Sequence, residues 1–295
     1  MSEADPAHSV GAAGSGRGEM VLRIISSLVL APLAIFVAWW GGWVLAAFWG
    51  TAAILVFWEW SGLVVTGERS GMRAVGVAAI VLAVILVTTA GYVVGDLHRN
   101  LLLSGFAMLA IGTLAAAALT PRTQRIWAAG GVPYAGMIGM APIFLRADAE
   151  FGFVALMFLF AIVWGTDILA YFVGRAVGGP KVAPLISPKK TWSGAIGGTV
   201  AAMTAAAGIA WTAGLASTGK IVLLAAALSA VAQAGDFFES ALKRRFGAKD
   251  SGHLIPGHGG LMDRLDGFVT AVVLALMIGI CRGGLSEPAR GLLVW

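Results

Sequence analysis

Apolar runs of about 20 residues, separated by short polar breaks, recur from residue 21 almost to the end of the chain. A bilayer's hydrocarbon core is about 30 Å thick, and a helix needs about 20 predominantly apolar residues to cross it. In lipid, only helices and closed barrels satisfy their own backbone hydrogen bonds. The pattern therefore predicts an all-α, polytopic transmembrane helix bundle with spans near 22–40, 43–65, 74–94, 101–120, 131–145, 151–174, 193–215, 220–240 and 267–282. The fifth is the least regular, broken by Pro133, Pro142 and four glycines between 130 and 139. Charged residues make up 12% of the chain, against about 25% in soluble domains, which excludes a water-soluble globule. The one cysteine, Cys281, excludes an internal disulfide and any multi-cysteine metal site.

Lysine and arginine mark the cytoplasmic side of a membrane protein. With the N-terminus inside, 15 of the 20 basic residues fall in inner segments and five in outer ones. Residues 1–20, rich in Gly, Ala and Ser, bury too little apolar surface to order themselves and read as a disordered cytoplasmic tail. Residues 21–295 form one integral membrane domain with its polar motifs in 164–267. No exposed basic face suits a nucleic acid. Gly194, Gly197 and Gly198, with Ala201, match a close-packing helix face. Trp39, Trp40, Trp43 and Trp49 suit interfacial anchoring or helix packing.

Ten of the 35 charges crowd into residues 236–266. Asp236, Glu239 and Ser240 stand at i, i+3 and i+4 and share a helix face, while Asp263 and Asp266 repeat the three-residue step at the start of the last span. Carboxylates on two such helix ends can converge on a divalent cation, and magnesium favours one or two carboxylates with positions left for phosphate oxygens. Lys243, Arg244, Arg245, Lys249 and Arg264 supply the positive charge that a polyphosphate requires. The glycines of the 257–260 loop let backbone N–H groups approach an anion. A second cluster sets Asp167 inside a span and places Ser187, Lys189, Lys190 and Thr191 just before a helix, where they suit an anion.

These residues carry a resemblance. Ser240, Lys243-Arg244, Lys249-Asp250, Pro256, His258-Gly259-Gly260 and Asp263-Arg264-Leu265-Asp266 resemble the signature of the phosphatidate cytidylyltransferases, or CDP-diacylglycerol synthases. Asp167, Ala170-Tyr171, Gly174-Arg175 and the run from Ser187 to Trp192 are similar to that family as well, and Ser193 stands where many members carry a glutamate. The matching motifs cover roughly the last 130 residues. The resemblance implies transfer of CMP from CTP to phosphatidate, with Mg²⁺ required and a second cation compatible with the site. It implies metal at Asp236, Asp263 and Asp266, with Glu239 and Asp167 as further candidates, and catalytic roles also for Lys249 and Asp250. Ser187, Lys189, Lys190, Thr191, Ser240, Lys243, Arg244, His258, Gly259, Gly260 and Arg264 are the implied substrate-binding set. The expected partners are CTP, phosphatidate and the bilayer of the cell membrane, and a homodimer is compatible with them.

Two other functions share parts of this pattern. A CTP-dependent kinase of a membrane lipid alcohol also needs spans, nucleotide and metal, whereas an ion-coupled transporter also needs intramembrane carboxylates. The concentration of charge on one membrane side disfavours the transporter. His258 suits a phosphate contact, proton transfer or a loop-shaping hydrogen bond, and His253 reads as a surface residue. Glu59, between Trp58 and Trp60, suits either the same cavity or a pairing with another helix, the second being favoured.

Overall fold

The computed structural model describes residues 28–252 and 259–295. Helix α1 runs Leu28–Trp40. It is followed by α2 Gly42–Val64, α3 Ser70–Ala90, α4 Gly95–Ala118, α5 Arg125–Arg146 and α6 Gly152–Val177. A hairpin of β1 Lys181–Ala183 and β2 Ser187–Thr191 leads into α7 Trp192–Thr212, α8 Thr218–Arg245, α9 Met262–Gly283 and the short α10 Pro288–Leu293. Among the described residues, eight helices, α2 to α9, are long and apolar enough to cross a membrane. The first expected span is helical over α1, and its residues before 28, like the expected tail, lie outside the described residues.

Several boundaries differ from hydropathy. The fifth span is a continuous helix from Arg125 to Arg146 despite Pro133 and Pro142. It lies at the centre, against α2, α3, α4, α6 and α9. Its glycines admit neighbouring side chains: a Cβ on Gly131 would collide with the Trp60 ring and one on Gly136 with Leu109. The eighth span continues to Arg245, so Asp236, Glu239, Ser240, Lys243 and Arg244 share one helix. The ninth starts at Met262 and carries Asp263 and Asp266 in its opening turns.

Lipid tails are as apolar as leucine, so helices in a bilayer associate through close packing and interhelical hydrogen bonds. Helix α7 packs along α6 where a Cβ on Gly194 or Gly198 would sit 2.6 Å from the Ala170 or Thr166 carbonyl oxygen. Beside this seam, Thr166, Thr199 and Ser229 join α6, α7 and α8 through hydroxyl contacts of 2.8 and 3.2 Å, and Gln233 Nε2 donates to Thr199 at 3.2 Å. Hydrogen bonds of this kind contribute about 0.6 kcal/mol each.

One end of the bundle gathers the α2–α3 and α4–α5 links, the hairpin and the start of α9. There the Thr66 amide donates to Gln124 at 3.0 Å, and the Arg245 guanidinium lies 4.9 Å from the Trp127 ring centroid. At the opposite end Arg146 donates to the carbonyls of Ala38 and Trp39, and α10 is tied to the α5–α6 link through Arg290 and Asp148.

Candidate active site

The sequence places the anion-binding residues Ser187, Lys189, Lys190 and Thr191 just before a helix; the structure makes 187–191 the second strand of an antiparallel hairpin, with Lys181 opposite Thr191 and Ala183 opposite Ser187. Thr191 then caps α7, its hydroxyl accepting from the Gly194 amide at 3.2 Å. Ser193 donates to the Gly178 carbonyl and contacts the Thr191 hydroxyl at 3.0 Å. It therefore ties the end of α6 to the start of α7.

The hairpin faces α8, α9 and the end of α6 across a cavity of about 1130 Å³. Asp167, Asp236, Asp263 and Asp266 line it. So do Ser187, Lys189, Lys190 and Thr191 from the hairpin, together with Lys243 and Arg264. Away from this polar end the wall turns aromatic and apolar. Trp49 stacks on Phe268 with centroids 4.8 Å apart, Phe160 stacks on Trp164 at 5.0 Å, and Ala34 and Ala52 line the same cavity. Trp49 is thus a buried wall of the cavity, while Trp39, Trp40 and Trp43 are exposed.

The charges are arranged in pairs. Lys190 pairs with Asp236, and Lys243 pairs with Asp263 while lying 3.4 Å from Glu239 Oε1. Burial pushes the Lys190 ammonium below the usual lysine range, and the carboxylates of Asp266, Asp167 and Glu239 oppose that shift. Lys190 also lies 4.8 Å from the Phe237 ring centroid. Asp263 Oδ2 accepts from the amides of Ser251 and Gly260, both at 3.0 Å, and from the Ser251 hydroxyl at 2.9 Å. Asp266 Oδ1 accepts from the Gly267 amide at 2.7 Å.

Glu239 is fully buried behind the cavity wall, with the Lys243 ammonium 3.4 Å from its Oε1. Its side chain interacts with Asp266. These two interacting carboxylates supply the oxygen-only donors that a hard divalent cation takes. Among the described residues, no three His, Cys, Asp or Glu side chains gather at a single point; the acidic groups instead hold the two lysines.

Other expected residues lie apart from the wall. Arg244, Lys249 and Asp250 are exposed, and Ser240 is half-buried on α8 without lining the cavity. Gly259 and Gly260 serve the Asp263 carboxylate: Gly259 adopts a φ of 83°, and Gly260 donates its amide. His253 and His258 lie outside the described residues. Sequence reasoning passes over Gln233, which lines the cavity one turn before Asp236. A lone glutamine in an apolar span, three residues before an aspartate, is the signal that marks it. Glu59 does not line the cavity; it pairs with the start of α9.

The chain is similar to proteins named phosphatidate cytidylyltransferase. It is 43% identical to that of Brucella melitensis biotype 1 and 42% identical to that of Brucella abortus biovar 1, each over 262 residues covering 87% of this chain and 92% of the relative. It is 40% identical over 137 residues to the Bacillus subtilis protein of that name, covering 46% of this chain and 51% of the relative. The model of the cytidylyltransferase family matches residues 21–281. Covering most of the chain, including every residue that lines the cavity, that match shows that the chain belongs to the cytidylyltransferase family.

Proposed function

We propose that this chain transfers CMP from CTP to phosphatidate, giving CDP-diacylglycerol and pyrophosphate, at a site on the cytoplasmic side of the cell membrane. The observation that carries this reading is one continuous cavity with a lysine- and carboxylate-lined end and an aromatic, apolar end. A charged nucleotide fits the first and an acyl chain the second. The 15-to-5 distribution of basic residues supports a cytoplasmic polar end, where CTP is available.

The reaction needs no protein nucleophile. An unesterified oxygen of the lipid phosphate forms a bond to the α-phosphorus of CTP. The bond from that phosphorus to the bridging oxygen breaks, and pyrophosphate leaves with the electron pair. The protein's part is alignment and charge neutralisation. Lys189, Lys190 and Arg264 face the cavity and bind phosphate oxygens, with Lys243 beside them. Asp236, Asp263 and Asp266, which line the same cavity, would hold Mg²⁺. Bound there, magnesium neutralises phosphate charge. Trp49, Phe160 and Phe268 exclude water from the apolar end.

Purified protein incubated with phosphatidate and CTP labelled on its α-phosphorus tests this. Label recovered in the lipid, with unlabelled pyrophosphate released, is the expected result. Label remaining in free CDP identifies a kinase and overturns the proposal.

A further inference from the structure

Glu59 lies in α2, in the half of the chain that carries none of the site motifs, and is 5% exposed. A carboxylate inside a span needs a partner, and cations are the ordinary choice. The partners of Glu59 are instead the first amides of α9. Its Oε1 accepts from the Leu261 amide at 3.0 Å and its Oε2 from the Met262 amide at 2.7 Å. Those N–H groups have no acceptor within their own helix, and they form the positive end of its dipole. The Ser251 hydroxyl faces two carboxylates, Asp263 Oδ2 at 2.9 Å and Glu59 Oε2 at 3.3 Å. The chain is shaped around the glutamate: a Cβ on Gly252 would sit 2.7 Å from Glu59 Oε1, and one on Gly260 would sit 2.8 Å from Oε2. Three donors and two glycines thus converge on one side chain, immediately behind Asp263.

We propose that Glu59 is a positioning residue for CMP transfer: by capping α9 from α2 and holding Ser251, it sets the direction in which Asp263 and Asp266 face the cavity. This rests on the reading of the site given above. Groups that orient metal-binding side chains typically contribute about 10- to 100-fold in metal affinity or activity.

Glu59→Gln is the test, because glutamine keeps the shape but offers one acceptor oxygen to two amides. In hydrogen–deuterium exchange without substrates, the Leu261 and Met262 amides exchange at least about 10-fold faster than in the wild type, while α3 and α4 are unchanged. In the transfer assay kcat falls about 10- to 100-fold and the Mg²⁺ concentration for half-maximal rate rises. A merely structural role lowers the amount of folded enzyme and scales the rate without moving that concentration. Unchanged exchange, or a scaled rate at an unmoved Mg²⁺ requirement, overturns the proposal. Wild-type enzyme that labels no lipid overturns the underlying reading instead, which keeps the two failures apart. If Glu59→Gln does not yield monodisperse protein, Glu59→Asp, which keeps the charge but withdraws it from the Leu261 and Met262 amides, decides: faster exchange at those amides with a raised Mg²⁺ requirement supports the proposal, and wild-type exchange or an unmoved Mg²⁺ requirement overturns it.

Discussion

Lys243 on α8 pairs with Asp263 at the start of α9 and stands 3.4 Å from Glu239, so one ammonium joins two helices and offsets two carboxylates. Its side chain is 12% exposed and that of Glu239 is 1% exposed. Removing one partner of a buried ion pair costs about 3–5 kcal/mol, because the remaining charge is uncompensated. Lys243→Met is therefore expected to lower thermal stability in detergent markedly. Lys243→Arg, which keeps the charge, is expected to lower it less. A thermal-shift series on the two variants checks this.

Asp263→Asn tests the carboxylate itself. The substituted side-chain amide would retain one acceptor oxygen for the surrounding Ser251 and Gly260 donors but lose the charge that faces Lys243. CMP transfer is expected to fall by about three powers of ten or more, as for loss of a group that holds catalytic metal. Insertion and elution from gel filtration should match the wild type. Full activity in this variant would refute a metal role for Asp263.

The α6–α7 seam gives a prediction about packing. A Cβ on Gly198 meets the Thr166 backbone oxygen at 2.6 Å, and a backbone atom cannot swing aside. Gly198→Leu is expected to destabilise by at least about 1–3 kcal/mol, the usual cost of overpacking. The same change at Gly208, where a Cβ meets nothing within 4 Å, should be silent. Melting temperatures of the two variants decide.

That seam was legible in the spacing of Gly194, Gly197 and Gly198, because close helix approach requires small residues at a fixed step. The spans were legible for a similar reason, since the hydrocarbon slab imposes one composition on each. Hydropathy reports the slab and not the helix, which explains the missed ends: α8 runs past Ser240 to Arg245 because its last turns are helical but polar. The hairpin was not legible, as Ser187–Thr191 shows no apolar alternation and its pairing partner is only three residues long. In the site, the paired spacing of Asp236 with Glu239 and Asp263 with Asp266 located the acidic residues. It did not reveal that Lys190 and Lys243 hold them, because that pairing arises between elements. Glu59 shows the limit best: its partner Met262 is 203 positions away, and no local pattern links them.

The oxygen-only donor set makes a claim about cations. Chelating divalent cations from purified enzyme is expected to abolish CMP transfer, and adding Mg²⁺ should restore it. Zinc should not substitute, since the acidic set contains neither thiolate nor imidazole among the described residues. Activity that survives chelation would refute the metal assignment while leaving the phosphate-binding roles of Lys189 and Lys190 in place.

The apolar end of the cavity should read the lipid tail independently of the nucleotide. Ala34 and Ala52 are 7% and 8% exposed and line it beside Trp49 and Phe160, away from the lysines and carboxylates. A tryptophan at either position would occupy space that an acyl chain needs. Differences of single methylenes in an apolar pocket already change discrimination about 10-fold or more. Ala52→Trp is therefore expected to raise KM for long-chain phosphatidate by at least about 10-fold, to raise it less for a short-chain analogue, and to leave KM for CTP near wild type. Steady-state kinetics over a chain-length series checks this. An equal effect at every chain length would mean that the tail does not lie along the wall formed by Ala52, Trp49 and Phe160.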